Sequence, residues 1–258
     1  MADTYDLNAP QPSLPPSWHF AKMAYRDAFY ALRAMPAIAA AALAIGLAQS
    51  AVQLLSPQAL QQEYFVVGLA LMTVWSLLVT PVLIAIHRFI LLGEATHDYR
   101  IGSTSRYWLF FQLSFYFNAA ATLSGAISQV LVGVHTTLFL LALPVFILLV
   151  FVALRLTLLF PAIAVDAAGA SWRNAYQDTK SYVLRILATF ILVSVPLLIP
   201  LGITIWLQGL QPSHSEIDLS SVVGVVISAI ASVFSLAVFV AVASRYYQWI
   251  GRRLKQAE

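Results

Sequence analysis

Six stretches of the chain each run for about 20 or more largely apolar residues, enough at the helical rise to cross a hydrocarbon layer of about 30 Å. They lie near Met35 to Leu55, Phe65 to Ile86, Tyr107 to Leu131, Thr136 to Phe160, Tyr182 to Leu207 and Ser220 to Ala243. Lipid offers no partner to backbone N–H and C=O groups, so runs of this length fold as helices. Of 258 residues, 60% are hydrophobic and only 10% charged, against roughly 25% charged in soluble domains. The expected fold is an all-α polytopic membrane bundle of six transmembrane helices. Gly133 and His135 give only a brief break between the third and fourth runs, and one long kinked helix there, making five spans, is the rival count.

Charge supports the even count. With six spans and both termini on one side, that side receives all fourteen basic residues: Lys22, Arg26, Arg33, Arg88, Arg100, Arg106, Arg155, Arg173, Lys180, Arg185, Arg245, Arg252, Arg253 and Lys255. The opposite loops hold Glu63, Glu216 and Asp218 and no Lys or Arg. The positive-inside rule then makes both termini cytoplasmic. An odd number of spans would destroy this separation. The basic residues are spread over many short loops and make no stripe, so nucleic acid is not an expected partner.

Between the fourth and fifth runs lies LRLTLLFPAIAVDAAGASWRNAYQDTKSYVLR, Leu154 to Arg185. Pro161 cannot donate a backbone hydrogen bond, so the apolar run is expected to stop or kink there. Beyond it, Trp172, Ala175, Tyr176, Thr179, Tyr182 and Val183 recur at helical spacing opposite Arg173, Asn174, Gln177, Asp178 and Lys180. This pattern predicts an interfacial helix near 169–181. A second is expected near 18–33, with Phe20, Ala24, Ala28 and Ala31 along one side. Residues 1–17, rich in proline, read as a disordered tail, 18–251 as the membrane domain and 252–258 as a basic cytoplasmic tail.

The second, fourth and sixth spans share an ending, HRFILLG, LRLTLLFP and SRYYQWIG, in which Arg88, Arg155 or Arg245 precedes a breaker by five or six positions. AYRD at 24–27 also echoes AYQD at 175–178. The pattern suggests three hairpins, each led in by an amphipathic surface helix, although a cation near a helix C-terminus suits dipole and headgroups wherever it occurs. Arg155 is expected to snorkel at the cytoplasmic boundary; if the span is instead centred nearer Ile147 to Phe160, its guanidinium lies inside and needs a partner or a wet cavity, with Asp166 the nearest acidic residue in sequence. Arg88, Arg155, Arg245, Asp166, Trp172 and Arg173 are the candidate contacts with lipid headgroups or a partner.

Recognisable catalytic chemistry is missing. No span carries Asp or Glu away from its ends, the five histidines fall in separate loops, and HExxH, GxSxG, P-loop and GxGxxG patterns are absent. With no cysteine, thiolate catalysis and Cys-ligated metals are excluded. No cofactor is expected. One neutral signal remains: Ser114, Asn118, Thr122 and Ala126 recur every four residues on the third span, with Gln129 close by. Such a stripe packs helices, or lines a polar conduit or headgroup groove. Ala40, Ala44 and Ala48 on the first span and Gly224, Ser228 and Ser232 on the sixth read as packing faces.

The hinge, continued to ILATFIL, and DAFYALRAMPAIAAAALA together resemble a loose group of bacterial six-span proteins. The group includes the membrane domain that accompanies some glycerophosphoryl diester phosphodiesterases, and uncharacterised YciC-like inner-membrane proteins. The resemblance implies the fold and a bacterial inner-membrane location; it lends no active site, since no soluble segment is long enough to hold the phosphodiesterase domain. The functional expectation is a non-enzymatic, envelope-organising or accessory subunit acting through the bilayer, its anionic headgroups or a membrane-protein partner. A small-solute or lipid permease and a membrane-embedded lipid-modifying enzyme are the alternatives.

Overall fold

The computed structural model describes residues 15–55, 65–102, 104–134, 139–209 and 219–256. Helix takes up 85% of the described residues, and no strand occurs among them. In chain order the helices are α1 (Ser17–Ala34), α2 (Pro36–Leu55), α3 (Phe65–Leu92), α4 (Ser105–Val134), α5 (Phe139–Leu156), α6 (Leu159–Ala164), α7 (Trp172–Asp178), α8 (Val183–Gly209) and α9 (Leu219–Ile250). A 3-10 turn follows at Arg253–Lys255. The expected proline-rich tail falls mostly on residues 1–14, outside the described residues.

Four stretches are long and apolar enough to cross a membrane: Val66–Leu92, Leu143–Ala164, Val183–Pro200 and Val222–Ile250. The pair α1 and α2, which meet at 102°, makes a fifth if taken as one span. Among the described residues each of the six apolar runs is mainly helical, but along α4 Gln112, Ser114 and Asn118 interrupt the apolar side chains and the helix is not among these stretches. Only 22% of the Leu143–Ala164 window is buried, and Phe146, Ile147 and Leu148 face outward with Leu184, Ile199 and Val222. Water penalises such faces by about 25 cal/mol per Å²; lipid does not.

The long helices form a ring in which α2 packs on α3, α3 on α4, α4 on α5, α5 on α8, α8 on α9, and α9 back on α2. Helices α4 and α5 are therefore separate and mutually packed, not one kinked rod; residues 135–138 between them lie outside the described residues. Helix α9 also touches α3, and α1 crosses α9 and α8.

Helix α1 keeps the expected periodicity but covers its apolar side with protein. Phe20, Ala24, Ala28 and Ala31 are fully buried, and the Phe20 ring stacks on Tyr246 at 4.5 Å. Burying such a ring contributes about 2 to 3 kcal/mol. Trp18, Phe29 and Tyr30 on its other side are exposed. On α2 the packed side likewise differs from the expected one: Ala40, Ala44 and Ala48 are exposed, while Ile38, Ala42 and Ile45 are buried. Larger side chains bury more area, and the small face is left outward.

Two of the prolines inside helices have tyrosine hydroxyls bonded to carbonyls in the preceding turn. Pro81 lacks an N–H and so frees the Leu77 carbonyl, which receives the Tyr107 hydroxyl at 2.9 Å; the neighbouring Leu78 carbonyl receives Tyr99 at 2.6 Å. In α8, near Pro196, the Val193 carbonyl accepts from Tyr25 of α1 at 2.6 Å. These bonds tie the proline-bearing turns to adjoining elements. Pro161 acts earlier than its own position: the helix breaks at Thr157 and Leu158, and Pro161 sits inside the short α6. The proline ring excludes the carbonyl four residues back, that of Thr157, so the break falls there.

Helix α3 runs past the expected end at Ile86 to Leu92, because nothing breaks it before Gly93. Gly93 adopts φ +71°, and its N–H caps the Phe89 carbonyl at 3.0 Å. Left-handed backbone suits glycine at this place.

Candidate functional site

Helix α4 presents short polar side chains to α3, and α9 lies on the other side. Between them lies a cavity of about 940 Å³. Ser114, Asn118, Thr122 and Ala126 all line it, as one face with a four-residue repeat should. The stripe also packs: Asn118 Nδ2 donates to Ser76 Oγ at 3.2 Å and Thr122 Oγ1 to Met72 Sδ at 3.1 Å. The Gln129 side chain lies outside the described residues. Along α3 the lining extends from Gly68 to His87, roughly 28 Å of helix, close to the thickness of a hydrocarbon core.

One end of the cavity is floored by His87 and Phe110, which are 2% and 0% exposed. His87, expected in a loop, is instead one turn inside α3, carried there by the helix's extension. Ser244 of α9 donates its hydroxyl proton to the Val240 carbonyl at 2.9 Å. Its Oγ therefore accepts from His87 Nδ1, at 2.8 Å, and the second ring nitrogen, Nε2, remains as an acceptor. Ser114 Oγ is buried without a hydrogen-bond partner. A buried hydroxyl left unsatisfied costs about 1 to 3 kcal/mol. Among the described residues no Asp, Glu, Lys or Arg lines the cavity.

A second chamber of about 660 Å³ lies on the far side of α4, against α5. Phe117, Asn118, Gly125, Thr157 and Phe160 border both chambers. Its other walls are mainly apolar, and Leu143 and Phe146 among them are also exposed on the outer surface.

The candidate headgroup contacts gather at one end of the bundle, mostly engaged with one another. Arg245 Nε donates to Asp27 of α1 at 2.5 Å, and the Asp27 side chain is only 9% exposed. Arg88 holds Glu94 at 2.8 Å through Nε and caps the Ala164 carbonyl at the end of α6 at 3.1 Å. Asp166, in the left-handed region at φ 51°, pairs with Arg106 rather than Arg155. Arg155 does not snorkel to the surface: it is 8% exposed, with its guanidinium 4.9 Å from the Phe151 ring centre and 4.5 Å from that of Tyr176. Packing of α7 over the end of α5 buries it. Trp172 and Arg173 are exposed, as headgroup contacts require.

Helix α7 is shorter than the expected 169–181 and splits its predicted face. Ser171 caps it by accepting from the Asn174 N–H at 3.3 Å. Ala175, Thr179 and Val183 are buried, while Trp172 and Tyr176 face out. Asn174, expected on the wet side, is buried and donates to the Gly169 carbonyl at 3.0 Å. The presumed basic tail is docked here: Leu254 is fully buried, and its carbonyl accepts from the Gly169 N–H at 3.2 Å. Asp178 accepts from the N–H groups of Arg253 and Leu254 at 3.0 and 3.2 Å. Burial pushes the Asp178 carboxyl up to about 6, against the pull of those two bonds and of the charges on Arg253 and Lys255. A methyl at Gly169 would collide with the carbonyls of Arg253 and Gln256.

Sequence reasoning missed the role of His87, although the unbroken HRFILL before Gly93 signals that the helix continues. It also missed the pairing of Asp27 with Arg245, for which no local signal exists. Among the described residues no three metal-ligating side chains come together. No protein-family model, curated protein or solved structure matches the chain.

Proposed function

We propose that this is a non-catalytic inner-membrane protein that holds a small apolar or amphipathic molecule within its bundle, as a permease or carrier does. The observation that carries the reading is the cavity of about 940 Å³, lined by the Ser114, Asn118 and Thr122 stripe and, among the described residues, by no charge. Its volume lies in the range of roughly 300 to 1,000 Å³ typical of ligand sites. In this reading the bundle has six spans with both termini cytoplasmic, as the positive-inside rule requires, and the resemblance to bacterial inner-membrane proteins agrees with that compartment. Exposed Trp18, Trp108 and Trp172 fit an aromatic belt at the interface.

The test is exchange of bound molecules from purified protein in nanodiscs, together with solute or lipid flux in proteoliposomes. Asn118→Leu is expected to abolish both while the protein stays folded. Flux or exchange indifferent to Asn118→Leu, or absent from the wild type, overturns the reading. Topology is tested separately, since the chain has no cysteine: cysteines at Gln61, His135 or His214 should label from outside intact cells, and one at Ala170 should not.

The threefold pattern gains support in an unexpected form. Each returning-helix arginine meets the segment leading into another hairpin: Arg88 with Glu94, Arg155 with the Tyr176 carbonyl at 3.4 Å, and Arg245 with Asp27. We read this as three hairpins locked in a cycle. A second functional reading, an accessory subunit docking on lipid or a partner protein, is favoured by Trp172, 74% exposed beside the exposed Arg173. Trp172→Ala with Arg173→Ala should then release a cross-linked partner without changing exchange in the cavity.

A further inference from the structure

The cavity's polar atoms are unevenly matched. His87 Nδ1 and Asn118 Nδ2 are already donating, to Ser244 and Ser76, which leaves His87 Nε2 and Asn118 Oδ1 as acceptors. Ser114 Oγ is buried with no partner at all. Gln49 and Trp75 add donors at the lining, so a guest that meets the whole set both donates and accepts, as a hydroxyl does, and with no countercharge among the described lining residues an ionised headgroup would be heavily penalised. The second chamber supplies the rest of the description. It adjoins the first where Gly125 leaves the wall thin, its lining is mainly hydrocarbon and aromatic, and through Leu143 and Phe146 it reaches the outer face of the bundle.

From this we infer that the guest is an uncharged lipid alcohol, its free hydroxyl turned inward to His87 and Ser114 and its chain lying in the α4–α5 chamber towards the bilayer. The inference rests on the reading of the bundle as a holder of a small amphiphile and names the class it takes. Asn118 borders both chambers and marks the point where polar lining gives way to apolar. The floor at His87 and Phe110 stops the headgroup short of the charged end of the molecule.

The experiment measures binding of oleyl alcohol, oleyl acetate, dioleoylglycerol and dioleoylphosphatidylglycerol to the whole chain in nanodiscs. The alcohol should bind about tenfold more tightly than its acetate, since the ester cannot donate and strands the acceptors. Dioleoylglycerol binding as well as oleyl alcohol would indicate a two-chain guest, and weaker binding a single-chain one; either supports the inference if the charged lipid binds least. The preference for alcohol over acetate should collapse towards unity in His87→Phe, and also in Ser114→Ala, a change too small to threaten folding. Equal affinity for alcohol and acetate, a preference for the anionic lipid, or a preference untouched by both variants overturns the inference and leaves the holder reading standing. If none of the four binds, both fall.

Discussion

The charged end of the bundle and its neutral interior use polar groups in opposite ways. At the charged end every described acidic residue is engaged: Asp27 with Arg245, Glu94 with Arg88, Asp98 with Arg100, Asp166 with Arg106, and Asp178 with two backbone N–H groups. In the interior, Ser114 is unpartnered and His87 keeps a free acceptor. Groups already paired hold elements together; groups left over are available to something else. Most arginines at the charged end therefore fasten the fold, although Arg155 Nε and Gln177 Oε1 are themselves buried without a partner there, and the neutral interior keeps the groups on which the proposed ligand site rests.

This contrast can be broken first where the expected effect is largest. Asp27→Ala leaves the half-buried Arg245 without its carboxylate and with Gln248 as its remaining side-chain partner, and should lower stability by about 3 kcal/mol, read as an earlier thermal transition in detergent. Gly169→Ala should cost about 2 kcal/mol by forcing a methyl against backbone carbonyls; labelling of a cysteine at Leu254 would then become fast. If either substitution proves silent, the charged end is not the fastening that its geometry describes.

Smaller effects sharpen the same contrast. Tyr107→Phe strands the carbonyl freed by Pro81 and should cost about 1 kcal/mol, a loss that Pro81→Ala should largely remove, since an alanine N–H restores the helical bond. Asp178 ionises at about 6 in the docked turn, above its ordinary 3.8. An acid whose folded pKa is raised binds more protons when docked, so docking should tighten as pH falls from about 6 towards 4 and loosen above that window. Hydrogen exchange at Leu254 reads this, and Asp178→Asn should flatten it. The interior should respond in the opposite direction: Ser114→Ala removes a buried hydroxyl without a partner and should leave stability unchanged or raise it by up to about 1 kcal/mol.

Much of this architecture is legible in the chain. Apolar runs place all six long helices, and the four-residue spacing of Ser114, Asn118 and Thr122 places them on one face before any neighbour is known. Partners are not legible. The face of α1 bearing Phe20 looks the same whether lipid or α9 covers it, because periodicity reports an apolar surface and not its occupant. Asp27 and Arg245 meet across 218 residues, and Arg155 is buried only because α7 folds back over it. Hydropathy also misplaced the end of α3: a histidine and an arginine lower the local average, but the helix continues until glycine permits the chain to turn.

The clasp between α1 and α9 bears on how such a molecule is made. A ribosome delivers α1 first and α9 only after the intervening helices have entered the bilayer, so the side of α1 that ends up against Tyr246 must wait uncovered. Until then the headgroup layer is the one shelter open to an amphipathic segment. The clasp is thus a contact of very long sequence separation, of the kind that makes folding slow.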